Sequence, residues 1–280
     1  MSGAPIGGET ISGARTGGPL RNLLRVLETR PAFGIGLFAV FYGVGVVGHL
    51  LDGVRPTMLL ITPYFLPAMG LLALATLLAP TGEPSRSRFW AWAGGTFAAT
   101  WALEVLGVHT GIVFGEYVYG RGLGAPILGV PPLIGFNWVL VCLGMLIWVT
   151  SAEAWWVARR REEGRTFKEG RTFKGGRTFE GGREDGHLPR PILALAAAVL
   201  ATGFDWVMEP VAIGLGYWSW AGGDIPLQNY VAWFAIALGA SLAWLYLLPR
   251  AIRTATRLPA WHVLAQLLFF AALRVGLFSG

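Results

Sequence analysis

The sequence predicts an all-α polytopic membrane bundle. Of the 280 residues, 54% are hydrophobic and only 14% are charged, whereas soluble domains carry roughly 25% charged residues. Seven long apolar segments recur along the chain, and a bilayer-spanning helix needs about 20 such residues. None of them alternates apolar and polar residues like a strand of an outer-membrane barrel.

The apolar segments predict seven transmembrane helices in order. We place these helices at 32–51, 58–79, 89–108, 132–157, 191–213, 230–248 and 261–278. Residues 1–31 are rich in Gly, Ser and Arg and lack the apolar core of a signal peptide, so we predict a flexible cytoplasmic tail. The helices of 32–157 and of 191–280 are expected to form one integral membrane domain.

Basic residues predict the orientation. Most of the 22 Lys and Arg residues lie in the tail or in alternate loops, and short loops rich in such residues stay in the cytoplasm. The N-terminus is therefore predicted inside and the C-terminus outside, in a multi-pass protein of the cytoplasmic membrane. Residues 158–190 contain the hexad Gly164-Arg-Thr-Phe-Lys-Glu and two near-repeats, whose charge and glycine content predict a disordered basic cytoplasmic linker.

Several classes of function are excluded by the residues. A retinal Schiff base needs a lysine in the last helix, but the only lysines, Lys168 and Lys174, lie in the linker. There is no Asp-rich cluster for magnesium-dependent prenyl transfer and no phosphate-binding P-loop. His49 and His109 lack the spacing of metal ligands, so we predict no metal site. The location of the basic residues argues against nucleic acid as a partner.

Three acids inside the predicted helices are the candidate catalytic residues. Glu104, Asp205 and Glu209 lie within membrane segments, where charge is costly and usually functional. The third and fifth helices run in the same direction, so these acids are expected at the same outer level in one pocket. Asp205 and Glu209 share one helix face, and two carboxyl groups in a dry site favour retention of one proton. The alternative is a structural role as interhelical hydrogen-bond acceptors.

Aromatic and amide side chains lie near these acids in the sequence. Two turn-rich outer loops, 110–120 and 216–220, are expected to cap the pocket. Their aromatic residues are either interfacial belt residues or a surface that stabilises a cation. Asn137 and Asn229 need hydrogen-bond partners, and either one is suited to orient a water molecule.

Two stretches of sequence resemble one family. Glu104-Val-Leu-Gly-Val-His-Thr-Gly-Ile-Val-Phe-Gly-Glu-Tyr-Val-Tyr119 with Trp138, and Asp205-Trp-Val-Met-Glu-Pro210 with Trp218, Trp220, Asn229 and Trp233, are similar to signatures of carotenoid biosynthesis membrane proteins. This family includes the CruF-type carotenoid 1′,2′-hydratases and the bisanhydrobacterioruberin hydratases.

The resemblance implies a hydro-lyase that adds water across the terminal double bond of an acyclic carotenoid ψ-end. Lycopene, γ-carotene and bisanhydrobacterioruberin-like carotenoids are the implied substrates. The bilayer and other carotenoid-pathway enzymes are the implied partners. No cofactor is implied, because acid–base catalysis suffices for a redox-neutral hydration. Glu104, Asp205 and Glu209 take the catalytic roles, and the predicted substrate-binding residues are Thr110, Phe114, Tyr117, Tyr119, Asn137, Trp138, Trp218, Trp220 and Asn229.

Two alternatives remain open from the sequence. A membrane carotenoid cyclase of the lycopene type begins with the same protonation but closes a ring. A noncatalytic carotenoid-binding membrane protein would need the aromatic residues but not the acids.

Overall fold

The protein is described by a computed structural model, which covers residues 30–78, 85–169, 187–248 and 257–278, together with positions 18, 22, 23, 26 and 27. Seven long helices lie in these ranges: α1 Pro31–Leu50, α2 Arg55–Leu78, α3 Ser85–Thr110, α4 Pro132–Glu169, α5 Arg190–Gly214, α6 Leu227–Leu247 and α7 Leu258–Phe278. Two short strands, β1 Tyr117–Tyr119 and β2 Trp218–Trp220, accompany them. The predicted all-helical fold is confirmed.

Six of the seven helices are long and apolar enough to cross a bilayer, within the described ranges. The exception is α3, which has the length but not the composition, because Glu104 and several glycine and threonine residues make it less apolar. The prediction of seven spans is therefore supported by composition for six. Together the apolar helices indicate a multi-pass membrane protein.

The helix predicted over 132–157 extends further than expected. The structure continues α4 to Glu169, into the segment 158–190 that we predicted as a disordered linker. Residues 158–163 are Ala, Arg and Glu, which are good helix formers and favour continuation beyond the apolar stretch. The rest of the repeat, up to residue 186, lies outside the described residues.

Glycines at helix contacts define the packing. Gly34 lies against Leu258 and Gly45 against Phe269, so α1 and α7 run parallel. In the centre, α4 contacts α7 where Gly144 meets Val263. Because glycine has no side chain, the helices approach closely at these points. Among the described residues, α4 contributes more buried hydrophobic residues than any other helix. The parallel course of α1 and α7 agrees with a seven-helix topology.

The two outer loops pair with each other. Strands β1 and β2 are antiparallel, with Tyr117 opposite Trp220 and Tyr119 opposite Trp218. Gly120 donates its backbone N–H to the carbonyl of Tyr217 at 2.8 Å, at the point where the two loops meet. This small sheet closes one end of the bundle over the ends of α3 and α5.

Gly120→Ala is expected to destabilise this closure. An added Cβ would collide with the backbone carbonyl oxygen of Gly216, which cannot rotate away like a side chain. We expect a loss of about 1–3 kcal/mol in free energy of unfolding, typical of overpacking. Gly222→Ala is the matched control, because an added Cβ there meets no atom within 4 Å. Thermal unfolding in detergent should separate the two variants, and equal midpoints would contradict the close approach.

Candidate functional site

A small cavity lies beneath the β1–β2 sheet, between the ends of α3 and α5 and the start of α6. It has a volume of about 40 Å³, which is room for a water molecule rather than for a large ligand. All three candidate acids line it. The remaining lining residues are mainly aromatic or apolar: Phe114, Tyr117, Ile134, Asn137, Trp138, Phe204, Met208, Trp218, Trp220, Asn229 and Trp233.

Asp205 and Glu209 occupy successive turns of α5 and share one hydrogen-bond donor. The amide Nδ2 of Asn229, in the first turn of α6, donates to Asp205 Oδ2 at 2.9 Å and to Glu209 Oε1 at 3.2 Å. All three residues are buried. The amide therefore fixes the two carboxyl groups relative to each other.

Glu209 also accepts hydrogen bonds from strand β2. Residues two apart on a strand point to the same face, so Trp218 and Trp220 both turn their indoles toward α5. Their Nε1 atoms donate to Glu209 Oε2 at 2.9 and 3.2 Å. With the Asn229 amide, three donors surround this carboxyl group, an arrangement that stabilises the carboxylate form.

Glu104 has a matching arrangement with strand β1. The hydroxyl groups of Tyr117 and Tyr119 both donate to Glu104 Oε2, the second at 2.6 Å. Burial, together with the nearby charge of Glu104, raises the pKa of both phenols above the ordinary tyrosine value. The phenols therefore stay protonated and remain hydrogen-bond donors. The paired strands thus supply two donors to each of two glutamates.

Asp205 has the fewest donors of the three acids. Its residue exposure is 0%, and within the described part of the chain Oδ1 has no hydrogen-bond partner. An unpaired buried carboxylate oxygen is expensive, whereas a protonated carboxyl group carries no charge. The geometry therefore favours a neutral Asp205 beside two better stabilised glutamates.

Aromatic rings enclose the acids. Trp233 stacks on Trp138 with ring centroids 3.5 Å apart and on Phe114 at 5.0 Å. Tyr117 lies 5.0 Å from Trp220. The faces of such rings attract positive charge, so the cavity combines proton donors and acceptors with a surface suited to a cation.

Most of the predicted site residues meet at this cavity. Ten line it: Glu104, Phe114, Tyr117, Asn137, Trp138, Asp205, Glu209, Trp218, Trp220 and Asn229. Tyr119 reaches it through its bond to Glu104. Thr110 differs from the expectation, because it is exposed and its hydroxyl donates to the Leu106 carbonyl at the end of α3.

Two residues near the site were not among the predicted site residues. Trp233 lies one helical turn after Asn229, so its spacing places it on the same face of α6. Gln266, on α7, donates to Asn137 Oδ1 at 2.9 Å and so holds the amide that lines the cavity. A lone glutamine in an apolar helix is the sequence signal for it. Among the described residues, no group of three His, Cys, Asp or Glu side chains is arranged to hold a metal ion.

The fold and the cavity define a multi-pass helical membrane protein with a buried carboxyl cluster at one end of the bundle. The chain belongs to the carotenoid biosynthesis protein family, whose model matches residues 64–279. This match includes every residue that lines the cavity. The membership indicates a role in carotenoid biosynthesis and implies an enzymatic function. No curated protein and no solved structure matches the chain.

Proposed function

We propose that the protein is a membrane carotenoid hydratase, which adds water across the 1′,2′ double bond of an acyclic carotenoid end. One observation carries the proposal: a buried aspartate with an unpartnered oxygen lies beside two glutamates that accept several hydrogen bonds, in a cavity walled by aromatic rings. This arrangement supplies a neutral acid, a base and a cation-stabilising surface.

Asp205 is the proton donor in this mechanism. Its Oδ1–H protonates C2′, the π electrons of the double bond form the new C–H bond, and C1′ becomes a tertiary cation. Asp205 is left as a carboxylate that keeps its hydrogen bond from Asn229. Glu209 stays ionised throughout, because its three donors stabilise its charge, and it lowers the energy of the nearby cation.

Glu104 is the base. Both phenols donate to its Oε2, which leaves Oε1 for a water molecule. The water attacks C1′ and gives one proton to Glu104, so the product gains one hydroxyl group and one hydrogen. The proton then returns from Glu104 to Asp205 through solvent, and the atoms and charges balance over the cycle.

The long apolar part of the substrate needs a path outside the small cavity. A groove of about 790 Å³ runs between α3 and α6, from Arg88 and Leu247 at one end to Leu103 and Ala235 at the other. Leu103 precedes Glu104 in α3, so the groove ends at the level of the acids along this helix. The stretch of α3 that lines it is about 22 Å long, at a rise of 1.5 Å per residue. A polyene chain lying there would present its end group to the acids.

Gly95→Leu is expected to block this groove. Gly95 lines it, and an added Cβ meets no atom within 4 Å, so the leucine would occupy the groove without straining the helices. We expect carotenoid conversion to fall at least about tenfold, from lost access rather than lost chemistry. Gly94→Leu is the control, because its neighbouring position is equally open but does not line the groove. Similar conversion by both variants would contradict this path.

Coexpression with an acyclic carotenoid tests the function. Lycopene or γ-carotene should be converted to a product heavier by one water, detected by chromatography and mass analysis. An isomer of unchanged mass would identify a cyclase instead. Unchanged pigment that copurifies with the protein would indicate binding without catalysis. Either of these last results would contradict the hydratase proposal.

A further inference from the structure

A second cavity lies on the other side of the bundle, between α1, α2 and α7. It has a volume of about 260 Å³ and largely apolar walls. Its mouth opens between α1 and α2, where Phe41, Val44 and Ile61 are exposed to the surroundings of the bundle. We call this space the α1–α2 pocket, and no step of the proposed hydration uses it.

Two buried polar atoms in the walls of this pocket have no partner among the described residues. They are His49 Nε2 and Gln266 Oε1. His49 is 4% exposed and Gln266 is 1% exposed, so neither is satisfied by ordinary surface solvation. An unpartnered buried polar atom is costly, which makes these two atoms candidates for contact with a ligand.

Both unpartnered atoms are hydrogen-bond acceptors. His49 Nδ1 lies 2.7 Å from the Gly45 carbonyl, which can only accept, so the hydrogen is on Nδ1 and Nε2 of the neutral ring has a free lone pair. Gln266 already donates to Asn137 through Nε2, and its free atom is the carbonyl oxygen. A ligand that pairs with either atom must therefore donate a hydrogen.

The hydroxyl hydrogens of Thr62 and Tyr217 at the pocket wall are already used. Thr62 Oγ1 donates to the Met58 carbonyl at 2.9 Å, so its contact with the Tyr217 hydroxyl at 3.3 Å has the tyrosine as donor. The pocket thus combines apolar walls with unsatisfied acceptors. Such a pocket is suited to a hydrocarbon that carries a hydroxyl group, rather than to a ketone or an unsubstituted hydrocarbon.

The α1–α2 pocket lies directly behind the acid-lined cavity. Gln266 lines the pocket and donates a hydrogen bond to Asn137, which lines the cavity. Phe270 of the pocket contacts Phe204 of the cavity, with ring centroids 5.9 Å apart. Tyr217 of the pocket immediately precedes Trp218 of the cavity. Only one layer of side chains therefore separates the two spaces.

We propose that the α1–α2 pocket binds the hydroxylated end of a carotenoid, with the hydroxyl group donating to His49 Nε2. The carotenoid identity rests on the proposed function, since the tertiary alcohol is the product of that reaction. The polyene leaves through the mouth between α1 and α2 into the bilayer. The pocket is thus a product site, chemically distinct from the groove that takes the unhydroxylated substrate.

Binding of supplied carotenoids to the full chain in lipid nanodiscs tests the proposal. The probes are a 1-hydroxy acyclic carotenoid and its parent without the hydroxyl, and quenching of tryptophan fluorescence reports their affinities. Every protein sample, including the variants below, also carries Asp205→Asn, so that the unhydroxylated probe is not converted during the measurement. We expect the hydroxylated probe to bind roughly five- to tenfold more tightly, the range for one hydrogen bond. His49→Leu should abolish that preference and leave the parent unaffected.

A second pair of variants tests the location. Val44 lines the pocket and is 61% exposed, whereas Val47 does not line it and is 58% exposed on the same helix. Val44→Trp should weaken the binding of the hydroxylated probe several-fold, and Val47→Trp should not. Three results would overturn the proposal. They are an unchanged preference for the hydroxylated probe in His49→Leu, no such preference in the protein that keeps His49, or equal effects of Val44→Trp and Val47→Trp.

Spectroscopy keeps the proposal testable if the histidine variant does not fold. The chain has 4 histidines, so ¹⁵N-histidine labelling gives few signals. The hydroxylated probe should shift one Nε2 resonance and the parent probe should not; no shift would overturn the contact.

A competition experiment tests the identity of the ligand. Displacement of the hydroxylated probe by an equal amount of a saturated long-chain alcohol would assign the pocket to lipid alcohols and overturn the carotenoid assignment. A chain that binds as predicted but forms no hydrated product would contradict only the proposed function.

Discussion

Asp205→Asn is expected to lower hydration at least about a thousandfold while the protein remains folded, because it removes the general acid. In the proposed mechanism Asp205 is neutral, and asparagine has the same size and charge. The new amide oxygen can still accept from Asn229, and the new NH₂ group replaces the acidic O–H. Asparagine cannot transfer that hydrogen to C2′. Carotenoid conversion and the yield of detergent-stable protein should be measured together.

Asp224→Asn is the matched control for this variant. Asp224 is exposed in the segment between β2 and α6 and does not line the cavity, so the same chemical change should leave conversion unaltered. Full activity of Asp205→Asn would show that another group supplies the proton. A loss of folded protein in Asp205→Asn alone would instead indicate that the acid has a structural role.

Glu104→Gln is the second change with a large expected effect. It removes the base that accepts the proton from water, and we expect a loss of roughly a hundredfold to ten-thousandfold in conversion. Glutamine keeps an oxygen for the phenols of Tyr117 and Tyr119, so the β1–β2 sheet should stay closed. Glu116→Gln is the control, because Glu116 lies directly before strand β1 but is exposed and outside the cavity. Activity in Glu104→Gln that equals the control would remove Glu104 from the mechanism.

The phenols provide a graded version of this test. Tyr119→Phe removes one of the two donors to Glu104 and should lower conversion roughly ten- to hundredfold, as for a hydrogen bond to a charged group. Because the pKa of each phenol is raised, both hydroxyls remain donors up to the ordinary tyrosine pKa of about 10. Their deprotonation should therefore cause no loss of conversion below that pH. A loss of conversion below this pH that is present in the unaltered protein and absent in Tyr119→Phe would contradict this arrangement.

The sequence predicted the helices well because apolar length is a local property. Each of the seven apolar segments corresponds to one helix. The end of α4 was less predictable, since Arg159 and its charged neighbours fit both a solvated helix and a linker. The deviation of α3 has a physical cause as well: Glu104, which lines the polar cavity, and several glycine and threonine residues make this helix less apolar than the others.

The common level of the three acids also followed from the sequence. It required only that α3 and α5 run in the same direction, and the structure brings Glu104, Asp205 and Glu209 to one cavity. Their catalytic roles remain predictions. The partners of each acid could not be foreseen, because the pairing of Tyr119 with Trp218 joins loops about a hundred residues apart. Strand register is set by such long-range contacts. The same is true of Gln266, whose role depends on which helix lies beside Asn137.

Isotope labelling of the reaction tests the central claim most directly. Purified protein in nanodiscs is supplied with an acyclic carotenoid in water enriched in ¹⁸O, and in a parallel reaction in deuterium oxide. Acid-driven hydration predicts one ¹⁸O atom at C1′ and one deuterium on C2′ of the product, and neither label in the Asp205→Asn variant. Deuterium without oxygen would indicate ring closure, and a carotenoid free of both labels would contradict catalysis at this cavity.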